Sequence, residues 1–131
     1  MLPEFAAVLA LTGTPAPDPP GPCHTTACGH HLRARGLARH RWRAQRTMRH
    51  WRAVTRPYEA WLTKVAQCES GGDYRATSRD GAFHGGLQFT LSSWHAVGGR
   101  GYPENASPLE QRFRAVRLLR LQGRGAWPRC G

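Results

Sequence analysis

Between His31 and Ala60 the chain carries nine arginines against one acid, Glu59, and this block separates two regions of quite different charge. Residues 1–30 hold two acids and no lysine or arginine, whereas residues 61–131 hold ten basic residues against five acids. A chain of 131 residues suits one small domain plus an extension and falls short of two full-sized domains. The formal net charge of +11 is concentrated in the middle, and a run of that kind usually engages a polyanion: nucleic acid, an acidic membrane face or an anionic cell-wall polymer. Lys64 is the sole lysine. Arginine serves planar, bidentate contact with phosphate or carboxylate, and a GC-rich coding bias would enrich it equally well.

The chain falls into three regions. Residues 1–22 open with "MLPEFAAVLALTG", an apolar stretch of signal-peptide length that ends in small residues but has Glu4 where a basic residue is expected. It reads as a weak signal-like segment, and with the cysteines it favours secretion. No apolar run approaches the ~18–20 residues of a membrane span. "TPAPDPPGP" then forms a Pro-rich extended linker. Residues 23–56 make an Arg/His-rich extension. There Ala34, Leu37, Ala38, Met48 and Trp51 trace a narrow helical stripe, interrupted by Arg41 and weakened by Gly36.

Residues 57–131 have the texture of a packed domain. After Pro57, the residues Tyr58, Trp61, Leu62, Val65 and Ala66 fall on one helical face, and Gly71-Gly72 stops the helix with Glu69 in its last turn. Asp80-Gly81 signals a tight turn and a small β-hairpin. Thr90 caps a short helix, "SPLE" at 107–110 is a capping box, and Leu109, Phe113, Val116 and Leu119 carry a further helix to Gly123. The expected class is α+β, mainly α, with a small hairpin and a basic helical extension.

Four cysteines allow three pairings. The economical one joins Cys23 to Cys28 and Cys68 to Cys130, one staple per region. The longer loop removes about 4 kcal/mol of unfolded-state freedom in the chain-entropy model. Cys23, His24, Cys28, His30 and His31 are also zinc-ligand types at short spacing, but the spacing is not that of a finger, so no metal or other cofactor is expected.

Glu69 is the residue of chemical interest. Flanking glycines let a ligand approach the backbone. The negative end of a helix and desolvation beside Trp or Tyr both push a carboxyl pKa upward, as a general acid requires. The plain alternative is a solvated glutamate at a frayed helix end.

Four blocks bear on that choice: "VAQCESGG" (65–72), "GGLQFTLSSW" (85–94), "GG" and "GY" (98–102), and "GAWPRC" (125–130). From about residue 60 to 131 the chain resembles the resuscitation-promoting factor core, a compact lysozyme-like, transglycosylase-like domain of secreted actinobacterial proteins. The resemblance implies an enzyme that cuts the β-1,4 bond between N-acetylmuramic acid and N-acetylglucosamine in peptidoglycan. It makes Glu69 the catalytic residue and joins Cys68 to Cys130. Thr90 stands where the family often has a groove aspartate, and Ser93 supplies the groove hydroxyl.

Glycosidic cleavage with two carboxylates needs a partner for Glu69, and Asp73 and Asp80 are the candidates. A single-glutamate route, in which a substrate group attacks the anomeric carbon, gives either hydrolysis or a 1,6-anhydro product. Gln88, Trp94, Tyr102 and Trp127 are of the types that bind sugars, although Trp94 equally suits core packing with Leu91 and Val97. The expected partners are peptidoglycan glycan strands, anionic wall polymers through residues 31–56, and a peptidoglycan endopeptidase; the expected location is secreted or wall-associated. Two other classes fit parts of the chain. One is a non-catalytic glycan- or wall-binding module. The other is a nucleic-acid binder whose Trp42 and Trp51 interleave with arginine.

Overall fold

The computed structural model describes residues 26–131. The signal-like segment, the Pro-rich linker and the pairing of Cys23 with Cys28 lie outside the described residues. Helix α1 spans Thr26–Thr55 and continues through Gly36. A 3-10 turn, Arg56–Tyr58, leads into α2, Glu59–Ser70. Then come α3, Leu91–Ala96, and α4, Pro108–Gln122, with further 3-10 turns at Pro103–Asn105 and Gly123–Ala126. Among the described residues no helix is long and apolar enough to cross a membrane.

Contacts divide the chain between Ala38 and Arg39. From His30 to Ala38 every residue is exposed, as expected where charged side chains surround a helix. The unit from Arg39 onward holds the core, and the last turns of α1 pack into it. Trp51 stacks on Phe113 of α4 with ring centroids 5.4 Å apart, and Thr55 is buried. Pro57, which has no N–H to extend the α1 ladder, falls in the 3-10 turn that separates the two helices.

The periodicity of α2 holds: Leu62, Val65 and Ala66 are its buried residues. They meet Leu87, Phe89, Trp94, Val97, Val116, Leu118 and Trp127 in one cluster. At the end of α2 Gly71 is left-handed (φ 67°), and the Gly71 and Gly72 N–H groups donate to the Gln67 and Ala66 carbonyls, both at 3.0 Å. A side chain at that φ would be strained, which is why glycine ends the helix there.

Both expected caps form. The Thr90 hydroxyl accepts from the Ser93 N–H at 3.1 Å, and the Ser107 hydroxyl accepts from the Glu110 N–H at 3.2 Å. The Glu110 carboxylate turns to Arg114 one turn on, at 3.0 Å.

The β-hairpin is not there. The described residues contain no strand, so the α+β expectation is corrected to an essentially helical fold. The tight turn itself exists: the Gly81 N–H donates to the Ser78 carbonyl at 2.9 Å, and Asp80 accepts from the Ser78 hydroxyl and the Ala82 N–H. Its flanks are too short to pair on. After Ser78 bonds Phe83, only isolated bridges form, Thr77 with His84 and His84 with Phe89. His84 exchanges both backbone bonds with Phe89, at 2.8 and 2.9 Å, so Gly85 and Gly86 fold the chain back on itself before a ladder can grow.

Candidate active site

Glu69 lies in the last turn of α2, half-buried. Its neighbour Cys68 is bonded to Cys130, closing a sequence separation of 62 residues with Cα atoms 5.8 Å apart. That bond brings the C-terminal "AWPR" stretch against α2. A cleft of about 280 Å³ results, lined by Glu69, Phe83, Gln88, Ala126, Trp127, Pro128 and Arg129. A second cleft of about 200 Å³ shares Phe83, Gln88, Ala126 and Trp127 with it and adds Thr90 and Ser93. The two make a groove that runs from the carboxyl of Glu69 to the hydroxyls at the start of α3.

Burial holds the Glu69 carboxyl above the ordinary carboxylate range, and the Arg129 guanidinium pulls it partly back. Desolvation therefore wins, and the protonated acid persists to higher pH than in a free glutamate. Among the described residues no other carboxylate lines either cleft. Asp73 accepts from the Arg75 N–H at 2.8 Å in its own exposed turn. Asp80 is held below the usual carboxylate range by hydrogen bonds from Ser78 and Ala82, which suits a turn residue and not an acid.

Gln88 lies in both clefts. Its φ of 49° is the one left-handed non-glycine conformation among the described residues, and its amide nitrogen donates to the Gly85 carbonyl at 2.8 Å. Such a conformation costs on the order of 1–3 kcal/mol and persists only where its surroundings over-determine it. Here the flanking Leu87 and Phe89 are buried and fix the backbone between them. The Trp127 N–H donates to the Leu87 carbonyl at 2.7 Å, so this ring anchors the loop while lining the groove. The Thr90 and Ser93 hydroxyls bond each other at 3.0 Å at the far end.

Two residues predicted from the sequence lie elsewhere. Trp94 is wholly buried, packed edge-on to Phe89, and its N–H donates to the Arg100 carbonyl at 3.3 Å; no ring face is left for a ligand. Tyr102 is exposed in a separate depression with Arg100, Asn105 and Glu110. A roomier depression of about 540 Å³ at Tyr74, Glu104 and Ser107 contains none of the predicted residues. Its Glu104 carboxylate turns to the His84 ring, 3.2 Å away.

Sequence reasoning missed the supports. Gln111 of α4 is fully buried: its amide oxygen accepts from the Gly86 N–H at 2.9 Å, and the carbonyls of Tyr74, Pro103 and Ala106 converge on its nitrogen at 2.7–3.1 Å. The Ser70 hydroxyl joins the end of α2 to the same turn, 2.8 Å from the Gly86 carbonyl. Gln111 stands on the helical face of Ala115 and Leu118, at i+4 and i+7, and a polar residue on that apolar face was the available signal. Arg129 had no signal beyond its place before a cysteine.

The sequence that builds this groove belongs with one family. A family model described as "Transglycosylase-like domain" matches residues 57–130, and the chain is a member of that family, within the lysozyme-like superfamily. Over 67 residues it is 57% identical to resuscitation-promoting factor Rpf of Micrococcus luteus, covering 51% of this chain and 30% of that protein. Over the same length it is 49% identical to resuscitation-promoting factor RpfE of Mycobacterium tuberculosis, covering 51% and 38%. Over 81 residues it is 43% identical to resuscitation-promoting factor Rpf1 of Corynebacterium glutamicum, covering 60% and 41%. The chain thus spans less than half the length of these curated relatives.

Proposed function

We propose that the protein is a secreted or wall-associated glycosidase acting on peptidoglycan, with Glu69 as general acid and residues 57–131 as the catalytic body. The observation that carries this reading is the desolvated carboxyl of Glu69 facing a groove lined with sugar-binding residue types. In the proposed step the Glu69 O–H gives its proton to the oxygen bridging N-acetylmuramic acid and N-acetylglucosamine. The C1–O bond then breaks and the N-acetylglucosamine side leaves as an alcohol. A water that adds to C1 yields a reducing end, as in a muramidase. Attack by the sugar's own C6 hydroxyl forms a C1–O6 bond, returns a proton to Glu69 and yields a 1,6-anhydro end, as in a lytic transglycosylase. The lack of a second carboxylate in the groove among the described residues supports attack by a substrate group. Gln88, Trp127, Thr90 and Ser93 would seat the glycan.

Digestion of purified peptidoglycan with mass spectrometry of the products tests the reading. Wild type should release muropeptides whose ends identify the route, and Glu69→Gln should release none above background. Products in equal yield from the variant would refute Glu69 as the acid. Binding to walls with no products from either protein would favour the non-catalytic module.

The Arg-rich helix supports a second contact with the wall. Arg39, Trp42, Arg46 and Arg49 succeed one another at spacings of 3, 4 and 3 and are all exposed, with the Arg46 guanidinium over the Trp42 ring at 5.4 Å. Trp42 lies nine residues from Trp51, half a turn around the helix, so this stripe faces away from the core. Anionic wall polymers are the proposed partner of this face. A peptidoglycan endopeptidase acting on the same strands is the proposed protein partner.

A further inference from the structure

We propose that Arg129 selects the substrate, docking a carboxylate of the glycan strand at the Glu69 end of the groove. This rests on the reading of the groove as a glycan site and specifies which glycan it takes. The placement is covalent in origin. Glu69 comes directly after one half of the disulfide and Arg129 directly before the other, so the Cys68–Cys130 bond sets the two side chains on one cleft. They are the only charged groups among the lining residues of both clefts.

Within the cleft the one carboxyl near Arg129 is that of Glu69. Among the described residues Arg129 forms no ion pair, whereas Arg112 is paired with Glu59 and Arg114 with Glu110. It is exposed at the rim, with a planar fork of donors that fits a carboxylate bidentately. The rest of the groove, Phe83, Gln88, Trp127, Thr90 and Ser93, is neutral. A strand therefore has one preferred direction: its anionic substituent at the Glu69 end, its hydroxyls and amides at the α3 end. On a peptidoglycan strand that substituent is either the lactyl carboxylate of a muramic residue without a peptide or a carboxylate of the stem peptide.

The same contact bears on the acid. An unpaired Arg129 favours the charged form of Glu69, opposing its retention of a proton. A docked carboxylate cancels that field, so the acid holds its proton to higher pH once the right strand is bound. The alkaline limit of kcat should then lie above that of kcat/KM for carboxylate-bearing strands, and the two limits should coincide for strands with the carboxyl amidated.

The decisive measurement is calorimetric binding to Glu69→Gln, which removes turnover, using GlcNAc–MurNAc tetrasaccharides in three forms: free lactyl carboxylate, lactyl amide and stem peptide attached. With Arg129 present, a carboxylate form should bind about fivefold to tenfold tighter than the amide. That preference should fall to within about twofold in Glu69→Gln/Arg129→Gln and return in part with Arg129→Lys. Preference for the free form assigns the lactyl carboxylate, and preference for the peptide form alone assigns the stem peptide. Equal binding of all three forms, or a preference that survives Arg129→Gln, overturns the proposal and leaves the glycan site standing. Binding of none overturns both.

Discussion

A glutamate whose burial outweighs a neighbouring arginine carries two consequences that can be separated experimentally. Replacing it with glutamine should lower turnover by at least about a hundredfold if it delivers the proton. Its effect on stability has a definite sign. The folded pKa is raised, so the folded state binds the proton more tightly than the unfolded chain does. The associated stability is full below the unfolded pKa and is lost as pH rises through the folded one. Melting temperatures of wild type and Glu69→Gln should therefore keep a constant offset in acid, and wild type should lose ground to the variant toward neutral pH. A constant offset across that range would show that the carboxyl is not desolvated. Gln111 makes a different kind of claim, since it holds the groove loop from beneath. Gln111→Leu would take away the partner of the Gly86 N–H and of the Tyr74 and Ala106 carbonyls, while the Pro103 carbonyl would keep its bond from the Ala106 N–H. Each buried group so stranded costs about 1–3 kcal/mol, and relaxation of the loop recovers part of that. A loss of about 3 kcal/mol in denaturant unfolding is expected, together with weakened glycan binding although the residue touches no ligand.

The long helix behaves as two things along its length. Its last turns are core, through Trp51 on Phe113 and the buried Thr55; the stripe at Arg39, Trp42, Arg46 and Arg49 is surface. If that stripe holds wall polymers, release from isolated walls should show a steep salt dependence, because each neutralised anionic group frees a counterion. Arg39→Gln, Arg46→Gln and Arg49→Gln together should shift release to lower salt without changing cleavage of soluble glycan fragments. Retention of the wild type at high salt would remove the electrostatic tether from consideration. The loop between Gly72 and Thr90 shows the opposite balance. A good turn at Asp80-Gly81 built no sheet, because local turn chemistry needs flanks of several residues to extend into a ladder.

For the molecule as a whole, the disulfide ties the cleft wall to α2. Cys68→Ser/Cys130→Ser should lower stability by about 2–4 kcal/mol, as expected for a long closed loop in a small domain. Beyond stability, the double variant frees Pro128 and Arg129 from α2. Its residual activity at a temperature where it remains folded should therefore drop, and any preference for carboxylate-bearing strands should weaken. Full activity and selectivity in the folded variant would show that Trp127 alone, through its bond to the Leu87 carbonyl, is enough to form the cleft.

How much of this was legible in the sequence depends on the range of the interactions involved. Helix periodicity, the glycine stop after Ser70, the caps at Thr90 and Ser107 and the candidacy of Glu69 depend on residues within a turn or two of one another, and the chain alone determined them. The lining of one groove by Gln88 and Trp127, the burial that removes Trp94 from it, and the separate location of Tyr102 depend on contacts between distant segments. So do the hub at Gln111 and the juxtaposition of Glu69 with Arg129, sixty residues apart. Only tertiary packing decided those. A side chain's type states what chemistry it can do, whereas the surface it faces is set by whatever the rest of the chain has already buried.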